Sequence, residues 1–197
     1  NAKIKLGLAL HALGRSEQAV EQYQHALRIS PDDPDALTLV GVVMNEQENF
    51  AEAVEYFQKA LQINPGEAKT HVSLAIALAA QGDAGAAVRH YAHALEIDPN
   101  FSLALNRLAR IRATHPEAKL RDGAQAVELA QRCCQLTGYQ VATALDTLAA
   151  AYAETGQFEN AIKWQTQAVE LAQDHQKAGM TARLALYSEG KPFRYAD

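Results

Sequence analysis

Residues 19–36 read AVEQYQHALRISPDDPDA, residues 53–70 read AVEYFQKALQINPGEAKT, and residues 87–104 read AVRHYAHALEIDPNFSLA. The starts are 34 residues apart each time, so the repeat is the architecture. Within one copy, Ala53, Phe57, Ala60 and Leu61 lie three and four apart and share one face of a helix. Small residues fall where helices must approach and large ones fill the gaps. Pro31, Pro65 and Pro99 follow the last turn of each copy and stop it. Upstream of each stripe lies a second amphipathic segment, with Leu37, Val40, Gly41 and Met44 in one copy and His71, Leu74, Ala75 and Leu78 in the next. Short breaks at Gly14-Arg15, Glu48-Asn49 and Gly82-Asp83 separate the two segments. Each unit is helix, turn, helix, and neither helix can bury its apolar face without a stacked neighbour.

This pattern resembles the tetratricopeptide repeat. That motif wants a large residue, Leu-Gly and Tyr in the first helix, then Ala, an aromatic, Ala and Pro in the second. Leu37, Val40, Gly41 and Met44 take the first set in residues 34–67, and Ala53, Phe57, Ala60 and Pro65 the second. Leu6, Gly7 and Leu10 precede Ala19, Tyr23, Ala26 and Pro31, while Leu74, Ala75 and Leu78 precede Ala87, Tyr91, Ala94 and Pro99. A fifth unit matches through Leu145, Leu148, Ala149 and Tyr152, then Ala161, Gln165 and Ala168, without the closing Pro. The last third, ATHPEAKLRDGAQAVELAQ with LDTLAAAYAETGQFENA, is similar to C-terminal repeats of bacterial proteins of this family. Some of those carry a membrane or sugar-transferase region ahead of the repeats.

The resemblance implies an all-α, right-handed superhelical solenoid. Residues 1–175 divide into five hairpins, at 1–33, 34–67, 68–101, 102–140 and 141–175. A capping helix over 176–190 and a tail over 191–197, loose or laid back along the surface, complete the reading. The fourth unit departs from the motif. Its second helix, AVELAQRCCQLT, starts 39 residues after Ala87, so five extra residues sit around HPEAKLRDG, with Asp122 as an N-cap. Arg112 stands where the motif has a bulky inward residue. The insertion is expected to be the weak point, exchanging its amides fastest.

Composition narrows the function. A chain that is 48% hydrophobic and 21% charged is ordinary for a globular protein. Its net charge of −5 argues against nucleic acid as a partner. Residues 1–99 hold 7 basic and 13 acidic side chains, and the remainder 11 and 10, with the later excess centred on Arg107, Arg110, Arg112, Lys119 and Arg121. Cys133 and Cys134 are adjacent on one helix and read as reduced packing residues, which favours a reducing compartment. No run of about 18 apolar residues appears, so direct membrane insertion of this chain is not expected, although a membrane-anchored larger protein is compatible with it.

His71, His90 and His93 fall in one unit, but no HExxH or CxxC spacing completes a metal site, and structural or solvated roles are expected. No glycine-rich phosphate loop or GxSxG appears. The reading is therefore a non-enzyme with no catalytic residues, metal or cofactor. What remains is a surface. In this family the first helices line the concave face, where ligands most often lie. That correspondence gives Val42, Asn45, Lys69, Val72, Ile76, Asn106, Arg107 and Arg110 as the groove that binds a protein or peptide segment. Ile4 and Leu8 extend its apolar part, which is expected to be partly exposed. A substrate-recognition region of a larger enzyme such as a sugar transferase is the rival, and a homodimer through the apolar groove the third reading.

Overall fold

The computed structural model describes residues 2–195. Among them are eleven α-helices, one 3-10 turn and no strand. The chain divides after Ile97 into two compact units. The first contains α1 (Ala2–Ala12), α2 (Ser16–Ile29), α3 (Pro34–Glu46), α4 (Phe50–Ile63), α5 (Ala68–Ala80) and α6 (Ala84–Ile97). The second contains α7 (Ser102–Thr114), α8 (Gly123–Leu136), α9 (Ala142–Glu154), α10 (Phe158–Leu171) and α11 (Asp174–Ser188). Consecutive helices pack as pairs, and α4 against α5 or α8 against α9 joins one pair to the next. This is an all-α helical repeat solenoid.

The core of each pair follows from the motif. In the first unit Ala19, Tyr23, Ala53, Phe57 and Ala87 are completely buried. Gly41 sets how closely α3 and α4 approach, because a Cβ there would lie 2.7 Å from Phe57 Cε1. Gly7 meets the Tyr23 ring in the same way on α1. Asp33 caps α3, accepting from the amides of Asp35 and Ala36 at 3.1 Å, with Pro34 at the first helical position. The break between α3 and α4 is made by Glu48, which takes φ 62° where the equivalent turns use Gly14 and Gly82.

The second unit departs where the sequence does. Asp122 does cap α8, accepting from Gln125 N at 3.0 Å. The inserted residues are tied down more than the repeat register suggests. Arg112 Nη1 donates to Leu120 O at 3.1 Å, and Arg121 Nη1 donates to the carbonyls of His115 (2.9 Å) and Pro116 (2.8 Å). The amide of Asp122 donates to Arg112 O at 2.9 Å. The non-motif arginine and Arg121 thus hold the insertion together, leaving Glu117, Ala118 and Lys119 as its exposed tip.

The helix expected at 176–190 runs from Asp174 to Ser188. It starts earlier because Gln173 and Gln176 form a capping box. Of the segment after it, residues 193–195 are laid back on the unit, while Lys191 and Pro192 are exposed. Ala196 and Asp197, the rest of the expected tail, lie outside the described residues.

Candidate interaction surfaces

In the first unit the expected groove residues sit on neighbouring first helices. Val42 and Asn45 lie on α3, and Lys69, Val72 and Ile76 on α5. The two helices touch, and Thr38 and Thr70 share a hydroxyl hydrogen bond of 3.1 Å between them. Val42, Asn45 and Ile76 are half-buried and Lys69 is exposed. Val72 differs from the expected partial exposure. It is 2% exposed and Thr70 1% exposed, so these two side chains of α5 belong to the core. Ile4 is half-buried and Leu8 is 44% exposed on α1, which leaves an apolar surface of Ile4, Leu8, Val42 and Ile76. His11 Nε2 and Glu46 Oε2, 2.6 Å apart, link α1 to α3 at one end of it.

In the second unit Asn106, Arg107 and Arg110 all lie on α7. Arg107 is exposed and Asn106 half-buried. Arg110 is engaged: its guanidinium lies 4.4 Å from the Tyr195 ring centroid. Burial holds its pKa below the usual arginine value, partly offset by the charge of Asp146.

Asp146, on α9, organises a polar centre that the motif did not reveal. Its Oδ1 accepts from Arg183 Nε at 2.7 Å and from Gln165 Nε2 at 2.8 Å. Gln165 fills the slot that holds Tyr23 or Phe57 in the first unit. It is completely buried and also donates to Met180 O at 2.9 Å. A glutamine in an aromatic slot, in the same hairpin as an acidic first-helix residue, was the signal available in the sequence. A second carboxylate, Glu154, pairs with Arg121 Nε at 2.9 Å and with Arg194.

The cysteines are buried and unpaired. Burial pushes the Cys134 thiol up to about 12, and Cys133 upward as well, so both stay protonated and pack. Among the described residues no group of three or more His, Cys, Asp or Glu has metal-binding geometry. No helix among them is long and apolar enough to cross a membrane.

The histidines of α5 and α6 form a contact instead. His71 Nε2 lies 3.0 Å from Pro65 O, which requires a hydrogen on that nitrogen and leaves Nδ1 as an acceptor when the ring is neutral. His90 Nδ1, 3.1 Å away, then donates to it, and the His93 ring meets His71 edge-on. Burial lowers the pKa of both His71 and His90, opposed at His71 by the Pro65 carbonyl and reinforced by neighbouring positive charge from the other histidines and Arg89. A folded-state value below the ordinary 6.5 means the unfolded chain binds protons first as pH falls. This contribution is complete above about pH 6.5 and is lost progressively below it. The melting temperature should therefore fall between about pH 7.5 and about pH 5, and the fall should be shallower for His71→Gln. A His71→Gln profile as steep as that of the unmodified protein would show that other groups carry the acid sensitivity.

Three models described as tetratricopeptide repeat match residues 4–68, 44–111 and 142–175. No curated protein matches the chain. Among solved structures, one described as a functional characterisation of Pseudomonas aeruginosa PilF superposes with a TM-score of 0.77 at 22% identity, over 96% of this chain and 84% of that one. YrrB, described as a TPR protein with an unusual peptide-binding site, superposes with a TM-score of 0.72 at 21% identity, over 95% and 90%. A mutant O-GlcNAc transferase of Thermobaculum terrenum is 27% identical with a TM-score of 0.60, over 68% of this chain but only 26% of that one. Stacked hairpins of this kind are protein-interaction scaffolds that bind through extended surfaces. With these matches together covering residues 4–111 and 142–175, more than half of the chain, the chain belongs to the tetratricopeptide repeat family.

Proposed function

We propose that this chain is a non-catalytic interaction module that holds a protein segment on the faces of its first helices. The observation that carries this is the partly exposed apolar surface of Ile4, Leu8, Val42 and Ile76 in the first unit. Single exposed apolar side chains are ordinary, whereas several on adjacent helices form a surface that a partner helix or peptide can cover. In the first unit Lys69 on α5 is an exposed cation that favours acidic residues in the ligand, an attraction that weakens with salt. Full burial of each apolar side chain is worth about 1.5–3 kcal/mol, part of which is lost on ordering the ligand. Binding should accordingly be on the order of micromolar.

The test is capture of partners from extracts by the whole protein, against Val42→Asp with Ile76→Asp. Val72 is left intact because an aspartate there would disrupt the core. The double variant should lose the captured partners while keeping its helical circular dichroism. Retention of the same partners by the folded variant would remove this face as the site.

A second reading is favoured by the likeness to part of an O-GlcNAc transferase. In it the repeats present protein substrates to a catalytic region elsewhere in a longer protein.

A further inference from the structure

Residues 193–195, Phe-Arg-Tyr, lie on first helices of the second unit, where a ligand would lie on the reading above. Tyr195 N donates to Thr114 O at 3.2 Å, and Arg194 Nη1 donates to Ala113 O at 3.4 Å. Those carbonyls belong to the last turn of α7, which has no helical amides left to satisfy it and carries the negative end of the helix dipole. Arg194 also pairs with Glu154, whose other oxygen is held by Arg121. The two rings meet guanidinium groups: Tyr195 that of Arg110 at 4.4 Å and Phe193 that of Arg183 at 5.3 Å. Phe193 and Tyr195 pack edge to face at 5.1 Å, and Phe193 covers the alanine-rich core around Ala113, Ala150 and Ala153.

We infer that Arg110, Ala113, Thr114, Glu154 and Arg183 form a peptide site for an extended aromatic–basic–aromatic segment, which the chain's own residues 193–195 occupy until a partner carrying that pattern displaces them. The chemistry of the occupant is legible in the contacts. Each aromatic faces a cation, the central cation faces a carboxylate and helix-end carbonyls, and the backbone amide bonds to α7. The occupying segment follows Gly190, which ends α11 at φ 70°, and Lys191 and Pro192 between them are exposed, so only residues 193–195 need to be displaced. An attached segment competes at an effective concentration on the order of millimolar, so it suppresses weak ligands without abolishing strong ones.

The experiment uses the full chain and a fluorescent peptide of sequence GKPFRY as the probe. Phe193→Ala with Tyr195→Ala empties the site and should bind the probe about tenfold more tightly than the unmodified protein. Arg194→Glu, which touches no core residue through an aromatic ring, should do the same and serves if the first variant does not fold. Adding Glu154→Gln to either should remove most of that gain, and a probe with glutamate in place of the central arginine should not bind. Equal probe affinity for released and unmodified proteins would overturn the proposal, as would equal binding of the glutamate probe. A concentration-dependent dimer of the unmodified protein, abolished by Arg194→Glu, would assign the site to a second copy instead and overturn it too. The apolar face of the first unit is scored separately, because Val42→Asp with Ile76→Asp should leave probe binding by the released protein unchanged. Loss of extract capture with probe binding retained, or the reverse, identifies which of the two readings fails.

Discussion

Asp146→Ala should cost about 3–5 kcal/mol of unfolding free energy, far more than the loss of one surface ion pair. The Asp146 side chain is 12% exposed and that of its partner Arg183 is 17% exposed. Deleting the carboxylate strands the Arg183 cation in a poorly solvated position and leaves Arg110 without the favourable charge it feels there. It also removes one of the two acceptors of Gln165, a side chain with no access to water. Asp146→Asn, which keeps an oxygen for Gln165 but not the charge, should lose less. Adding Arg183→Met to Asp146→Ala should recover much of the loss, because a charge removed together with its partner leaves nothing stranded. Urea unfolding followed by Trp164 fluorescence reports on this unit, since Trp164 stacks on Tyr139 at 5.3 Å within it. A loss below about 1 kcal/mol would mean water reaches the pair and that the centre is a surface feature.

This centre marks the limit of what a repeat reveals. The helices were legible because three copies at constant spacing turn weak propensities into one strong signal. The close contacts were legible as well, since Gly41 against Phe57 and Ala53 at a crossing follow from size alone. Depth within a face was not. Thr38, Val72, Asn106 and Asp146 occupy the same position in successive first helices, yet Thr38 and Asn106 are half-buried while Val72 and Asp146 are buried. Periodicity fixes the direction in which a side chain points, whereas its exposure depends on how neighbouring helices close over it. Val72 is apolar and can be enclosed at no polar cost. Asp146 is enclosed only because Gln165 and Arg183 come with it, from two other helices.

Contacts that break the period were less legible still. Arg112 was visible as an exception to the motif, but its use was not, since Leu120 O belongs to residues that the other units lack. Residues 193–195 carry no repeat signal, and their placement depends on carbonyls, a carboxylate and two guanidinium groups from three separate helices. The contacts that the period does not announce therefore gather at the substituted aromatic slot, the non-motif arginine and the segment beyond the last helix.

Where the pattern holds, it should dominate stability, and Phe57→Ala is the sharpest case. The ring is completely buried, and its removal should cost about 3–5 kcal/mol. Much of that depends on Gly41, because the ring occupies the space into which a side chain at 41 would project. In the unmodified protein Gly41→Ala forces a methyl group to within 2.7 Å of the ring and should cost about 1–3 kcal/mol by overpacking. In the Phe57→Ala background the same substitution meets a cavity. Alanine should then stabilise α3 by up to about 1 kcal/mol, its advantage over glycine in a helix. The effect of Gly41→Ala thus changes sign, giving a coupling on the order of 2 kcal/mol or more in a double-mutant cycle measured by urea unfolding. Equal destabilisation in both backgrounds would mean that another group sets the approach of α3 to α4. Gly41 immediately precedes Val42, so a shift of α3 to relieve that clash would also displace the apolar face. Gly41→Ala should accordingly weaken partner capture even where the protein remains folded, and Gly41→Ala with Phe57→Leu, which shortens the obstructing ring, should restore part of it.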